Sequence, residues 1–269
     1  MTPLERPKEL ARKPVFTKAE AEAYERAAPG RDLADLPPIE QKLNADLVGD
    51  FATLNVGHLD PSLRTSLIVD PSTGVIPPLT RQAKARKDAR AKARKLPPDG
   101  PEALRLNERC LPDAAGPPLI PTAYNNFIQI VQTADHVMIE TEMIHDARII
   151  PLDGRPHLPV PLREWNGDSR GRWDGDTLVI DTTNFRTPSA LTDATAALRV
   201  VERLTRVDER SLLYEFSVTD PAAFTRPWSA AYTIHKSEAH MYEFACHEGN
   251  YAIAGMLRGA RAQEQVKQR

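Results

Sequence analysis

The sequence predicts a mainly β protein, an antiparallel β-barrel with a proline-rich, partly helical N-terminal wrap and one C-terminal helix. Three observations carry that expectation. From about residue 122 onward apolar residues recur with a period of two, in short runs separated by turn signals. Seventeen of the 24 prolines fall within the first 121 residues, in pairs beginning at Pro37, Pro77, Pro97 and Pro117. Proline fixes φ and donates no hydrogen bond, so long regular elements do not fit there. The final segment, "GNYAIAGMLRGARAQEQ", has the apolar spacing of one helix behind an Asn250 cap.

The chain therefore divides into a wrapping segment, 1–121, and a barrel domain with its helix, 122–269. Two helices fit between the early prolines. "TKAEAEAYERAAPG" starts at a Thr17 cap with Glu20 in the capping-box position and stops at Pro29-Gly30. "TRQAKARKDARAKARKLPP" starts at Thr80 and ends before Pro97. Between them "RTSLIVDPSTGVIPPLT" reads as a short strand, a turn at Pro71–Gly74 and an extended exit. No separate core is expected in this segment.

Eight strands are expected in the second segment. "NNFIQIVQT" and "HVMIETEMI" join across "ADH"; "SRGRW" and "TLVIDTTNF" flank "DGD", where Gly175 is free to take positive φ. "LRVVERLTRV" and "SLLYEFSVT" flank "DER", and "WSAAYTIHK" and "MYEFACHE" flank a loop at Ser237–His240. A meander of this kind closes into a barrel or folds into a sandwich, because closure removes free edges. A five-residue connection between the third pair would align Arg203 with Phe216 and bring Glu202 and Glu215 onto one face; a one-residue shift reverses this.

Composition excludes several classes. The 269 residues are 41% hydrophobic and 27% charged, with a formal charge of -2, which gives no general pull toward nucleic acid or an anionic membrane. No apolar run approaches the roughly 20 residues of a membrane-spanning helix. The basic run Arg81–Lys95 has no interleaved aromatic residue and reads as a solvated helix. The N-terminal residues contain no apolar stretch of the signal-peptide kind. Cys110 and Cys246 fit either one long-range disulfide or two free thiols.

The residues richest in chemistry are "EMIHDARIIPLDGRPH", Glu142 to His157. His145 continues the apolar parity of Val137, Ile139, Thr141 and Met143 and is expected to point inward. Asp146 and Arg148 join it only if the strand bulges at "HDAR". His157 follows the next turn, and His247-Glu248 end the last expected strand. One chemistry these residues allow is acid–base work, with His145 moving a proton, Asp146 or Glu248 orienting it, and Arg148 or Arg203 holding an anionic group. A metal site from His145, His157, His247 and an acid has no compact ligand spacing to support it. "GDSRG" around Ser169 sits in a loop before a hairpin, not on a nucleophile elbow. Cys246 and His247, adjacent on a strand, would face opposite ways.

Taken together, "TPLERP", "TSLIVDP", "ERCLP", "YNNFIQIVQTADHVMI", "EMIHDARIIPLDGRPH", "GDSRGRWDGDTLVIDTTNF" and "YEFACHEGNY" resemble an uncharacterised family of bacterial proteins. Its members are abundant in soil acidobacteria and sphingomonad-type proteobacteria and are often exported. The resemblance covers nearly the whole chain and implies a Cys110–Cys246 disulfide. Members usually carry a signal peptide before "TPLERP", so the resemblance implies a periplasmic or secreted protein if such a segment was removed, and a cytoplasmic one otherwise. By analogy with lipocalin-like barrels that decarboxylate phenolic acids, and with lignin breakdown in such bacteria, the expected activity is a cofactor-independent lyase, with a decarboxylase as the specific case, on a small aromatic acid. Its catalytic set would be His145, Asp146, Arg148, Glu215, His247 and Glu248. Tyr124, Asn125, His157, Trp165, Arg203, Trp228 and Tyr232 would bind the substrate, with Trp173 a further aromatic wall. No cofactor and no metal enter this scheme. The alternatives are a non-catalytic lipocalin-like binding protein and a His-liganded hydrolase. Tyr242, Glu243 and the C-terminal helix would cover the barrel mouth or contact a second copy in a homodimer.

Overall fold

A computed structural model describes residues 1–27, 59–112, 116–122, 125–187, 189 and 191–267. The three helices and nine strands below are those among these residues.

Both early helices form where their caps place them. In α1 (Lys18–Ala27) the Thr17 backbone N–H donates to Glu20 Oε2 at 2.8 Å, and Glu20 N–H donates back to Thr17 Oγ1 at 3.3 Å. This is the reciprocal capping box. The Pro29-Gly30 stop lies outside the described residues. In α2 (Arg81–Ala93) Thr80 Oγ1 accepts from Ala83 N–H at 3.1 Å. Polar side chains dock α2 onto the body: Lys87 and Arg90 pair with Asp193, and Arg86 donates to the Ala222 carbonyl. The run is thus partly neutralised by its own fold.

The strands make two antiparallel sheets. Six of them, β1 (Ile68–Asp70), β5 (Asp168–Asp174), β6 (Thr177–Thr183), β7 (Arg199–Asp208), β8 (Ser211–Thr219) and β9 (Trp228–His235), lie in the order β1-β9-β8-β7-β6-β5. Three more, β2 (Ile128–Gln132), β3 (His136–Thr141) and β4 (Asp146–Pro151), lie in the order β2-β3-β4. The closed barrel is not found among the described residues, because β1 and β5 end the larger sheet at opposite edges and the smaller sheet is separate. The two sheets share one core. Val137, Ile139 and Ile150 from the smaller sheet pack with Ile180, Val200, Tyr214, Phe216 and Trp228 from the larger. At Gly171 the larger sheet comes close to the end of β4: a Cβ there would lie 2.6 Å from Leu152 and 2.9 Å from Ile150. Gly175, at φ +59°, makes the β5–β6 turn that "DGD" foretells.

Four expectations change. "MYEFACHE" forms no strand; Cys246 is held in a disulfide with Cys110, and β1 takes the place beside β9 instead. Strand β3 does not run on through His145. A tight 3-10 turn at Met143–His145, with Ile144 and His145 at φ +68° and +43°, reverses the chain into β4. The β7–β8 connection carries an irregularity between Arg206 and Asp208, so Glu202 pairs with Phe216 and Arg203 with Glu215. Glu202 and Glu215 therefore face opposite ways. Asn250 does not cap α3 (Ala252–Lys267); its side chain donates to the Glu108 carbonyl.

The N-terminal residues run alongside β1. Leu67 N–H donates to the Pro3 carbonyl, Arg6 N–H to the Gly74 carbonyl, and Arg64 reaches the Ala231 carbonyl on β9. Phe16, Ala21 and Leu59 form a small satellite cluster under α1.

Candidate functional site

The reversal at Met143–His145 decides where the chemistry goes. After it, β4 pairs with β3 in a register that sets Arg148 opposite Ile139 and Ile150 opposite Val137, all on the buried face. Period two then sends the Arg148 guanidinium into the core. There it meets Glu202 of β7 in a two-pronged ion pair, one bond being Nη2 to Oε1 at 2.9 Å. Their side chains are 7% and 0% exposed. Tyr214 on β8 donates its hydroxyl to Glu202 Oε1 at 2.7 Å and accepts from Leu119 N–H at 2.9 Å. Tyr232 donates to the Leu119 carbonyl at 3.1 Å. This network ties both sheets to the segment entering the second half of the chain.

The electrostatics follow from burial. Desolvation would pull the Arg148 guanidinium down, but the Glu202 charge and hydrogen bonds outweigh it and hold the group above its ordinary value. Burial pushes Tyr214 well up, and the neighbouring Glu202 charge pushes it further. Tyr232 moves the same way for the same two reasons. These shifts favour a charged Arg148 and neutral hydroxyls on both tyrosines, which suits a network that braces the fold.

Beside this pair lies an open cleft of about 480 Å³, walled by β4, by the loop Arg163–Gly167, by the start of β5 and by Arg186. Asn166 Nδ2 donates to Asp146 Oδ2 at 2.6 Å, which fixes the amide orientation. Asn166 Oδ1 is buried and accepts from no group among the described residues. The Arg186 guanidinium sits over the Trp165 ring, 5.0 Å from its centroid. Arg163 spends one nitrogen on the Phe185 and Ala196 carbonyls. Arg186 is exposed and makes no carboxylate contact among the described residues.

At the cleft's edge Asp168 is buried and holds three groups at once. His157 Nδ1 donates to its Oδ2 at 2.9 Å, Leu158 N–H donates to the same oxygen at 2.8 Å, and Arg170 bonds its Oδ1. Arg170 Nε also holds the Pro156 carbonyl, and Asn184 Nδ2 holds the Leu158 carbonyl. The imidazole is thereby fixed with Nε2 turned toward Asp181, 3.9 Å away. Partial burial raises the Asp181 carboxyl, but the Arg199 hydrogen bonds and charge bring it below its ordinary value, with His157 adding to them.

Of the expected site residues, Asp146, Arg148 and Trp165 line this cleft, and the others among the described residues lie elsewhere. His145 stands on the turn, half-buried, where its Nδ1 donates to the Phe244 carbonyl at 3.0 Å and its Nε2 lies 3.8 Å from Glu243. It points toward residues 243–246 and not into the core. Asp146 does line the cleft. Arg148 is committed to Glu202. Glu215 and Arg203 lie opposite each other in the β7–β8 register on the outer face, and Arg203 bonds Asp174 at 3.0 Å. His247 and Glu248 are exposed in the turn before α3. Asn125 is half-buried at the entry to β2 with φ +54°. Tyr124 lies outside the described residues. Trp228 is a core residue, edge-on to Phe216 and Phe224, and Tyr232 belongs to the buried network. Trp173 is 47% exposed near a hairpin end. Of the aromatic set among the described residues, Trp165 lines the cleft. Ser169 lies on β5, not in a loop, with its hydroxyl bonded to Thr182 Oγ1 at 2.9 Å.

Glu202, Asn166, Arg163, Asp168 and Arg186 are additions from the structure. The run Arg163-Glu164-Trp165-Asn166 carried a signal, since a tryptophan between charges and an amide suits a wetted pocket wall. Among the described residues no three His, Cys, Asp or Glu are grouped to hold a metal ion, and no helix is long and apolar enough to cross a membrane. No protein-family model matches the chain, and no curated protein matches it either.

Proposed function

We propose that the protein binds a small planar anion, an aromatic carboxylate bearing a hydroxyl, in the cleft between β4 and Arg186. The observation that carries this reading is the uncommitted Arg186 guanidinium stacked over Trp165. Such a pair offers a charge for the carboxylate and a flat face for the ring. Asn166 Oδ1 in the cleft wall is a buried acceptor with no donor among the described residues; an unmet polar atom costs about 1–3 kcal/mol, which a ligand hydroxyl reaching it would recover.

The non-catalytic reading is preferred because His145 is tied to a backbone carbonyl and Arg148 to Glu202. A cofactor-independent lyase acting on the same acids is the second reading. It is favoured by one observation, that Asp168 of the cleft wall orients the His157 imidazole behind it, an arrangement suited to holding a proton.

Titration calorimetry with hydroxybenzoates and hydroxycinnamates tests the first reading. Saturable binding is expected, at least tenfold weaker in Arg186→Gln and in the amide analogue of each acid, because either change removes a charge-assisted bond worth about 1.5–3 kcal/mol. Equal affinity for acid and amide would overturn it. Conversion of a bound acid by the wild type, lost in His157→Gln with binding retained, would move the assignment to the lyase.

A further inference from the structure

The smaller sheet ends on a strand with nothing beside it among the described residues. Strand β2 pairs with β3 alone. The Phe127 carbonyl accepts from Glu142 N–H, and Thr133 N–H donates to the His136 carbonyl. Those two bonds fix the parity: odd-numbered residues turn their backbone groups to β3, and Ile128, Ile130 and Gln132 turn theirs outward. Exposed edges normally carry a guard such as a proline, a lysine or a bulge. Here Asn125–Thr133 contains neither charge nor proline, and the β2–β3 register is unbroken. Phe127, Ile130 and Val131 are exposed at 38%, 36% and 42%.

We propose that β2 pairs antiparallel with β2 of a second copy of this chain, across a two-fold axis at Ile130. In that register Ile130 faces the partner subunit's Ile130, Ile128 faces the partner's Gln132, and Gln129 faces the partner's Val131. The outward parity is symmetric about Ile130, so every outward N–H and C=O of Ile128, Ile130 and Gln132 finds its complement. A register moved by one residue would leave them mismatched. No like charges meet, because the strand has none, and this neutrality suits a copy of itself over a charged partner. Two three-stranded sheets become one of six strands. The contact is the same patch on both copies, so it uses up both β2 edges and stops at two.

Sedimentation velocity on the whole chain, from about 1 to 200 μM, is expected to show a monomer passing to a dimer, as befits a small interface. Ile130→Lys and Ile130→Glu, each folded by circular dichroism, are expected to be monomeric alone, with like charges on the axis. Their equimolar mixture is expected to dimerise again. Hydrogen exchange on the unmodified chain gives a second readout, with the Ile128, Ile130 and Gln132 amides slowing as concentration rises. A wild-type monomer at every concentration would overturn the proposal. So would a dimer untouched in both variants, or edge amides protected equally at the lowest concentration, which would mean that this same chain covers the edge.

Discussion

Arg148 shows how one residue's environment is set by its neighbours in the chain. As the third residue after the His145 turn it lands on the buried face, and only a carboxylate from another strand makes that tolerable. Glu202 supplies it because it shares the buried face of β7 with Val200 and Leu204. Glu202→Gln leaves a buried cation half-satisfied and is expected to cost roughly 3–5 kcal/mol, read by urea denaturation. Replacing both partners, Arg148→Met with Glu202→Leu, is expected to recover most of that loss, since two apolar groups strand no charge. An equal or larger loss in the double variant would mean that the pair stabilises beyond mutual neutralisation. The sequence singled out Arg148, but its partner lies 54 residues away, beyond the reach of local spacing.

Among elements, those with local causes were legible. Thr17, Glu20 and Thr80 mark helix starts because caps act within one turn, and "DGD" marks a hairpin because its geometry needs Gly175. What failed were facts decided at long range: the turn at Met143–His145, the register past Arg206, and the fate of "MYEFACHE". The last is anchored by the Cys110–Cys246 disulfide, by His145 at Phe244, and by Asn250 at Glu108. Opening that bridge by Cys110→Ser, with Cys246→Ser, is expected to cost about 3–5 kcal/mol, from the long loop it closes. It should also free Phe244 from His145, which exchange at the contact would report.

The wrap-to-sheet joint carries its own pH dependence. Asp60 takes Ser62 and Thr233 N–H bonds, linking the N-terminal segment to β9. Partial burial raises its carboxyl, yet those bonds hold it below the ordinary 3.8. A lowered carboxyl stabilises the fold fully above the unfolded value, and that contribution is lost as pH falls from there through the folded value. Thermal midpoints of the wild type should therefore fall on acidification below pH 3.8, and Asp60→Asn should fall less steeply over the same window. Parallel curves would show that Asp60 is not linked to folding.

At the scale of the whole molecule, the strand count read correctly as mainly β and antiparallel, but not as a barrel. Closure depends on how the outer strands meet, and β1 and β5 end the larger sheet with β2, β3 and β4 in a second layer. That layering buries Arg148 and moves the candidate site to the cleft where β4, the Arg163–Gly167 loop and β5 meet. Asp146, Arg148 and Trp165 were legible members of it. Arg186 and Asn166 were not, because only the packing of the loop after β6 against the loop before β5 brings them together.

The most direct test of this placement sets two variants side by side against one hydroxylated aromatic acid. If the cleft is the site, Arg186→Gln weakens binding at least tenfold while His145→Ala leaves affinity within about twofold of the wild type. Full affinity in Arg186→Gln with binding lost in His145→Ala would contradict the account and return the site to the turn at His145.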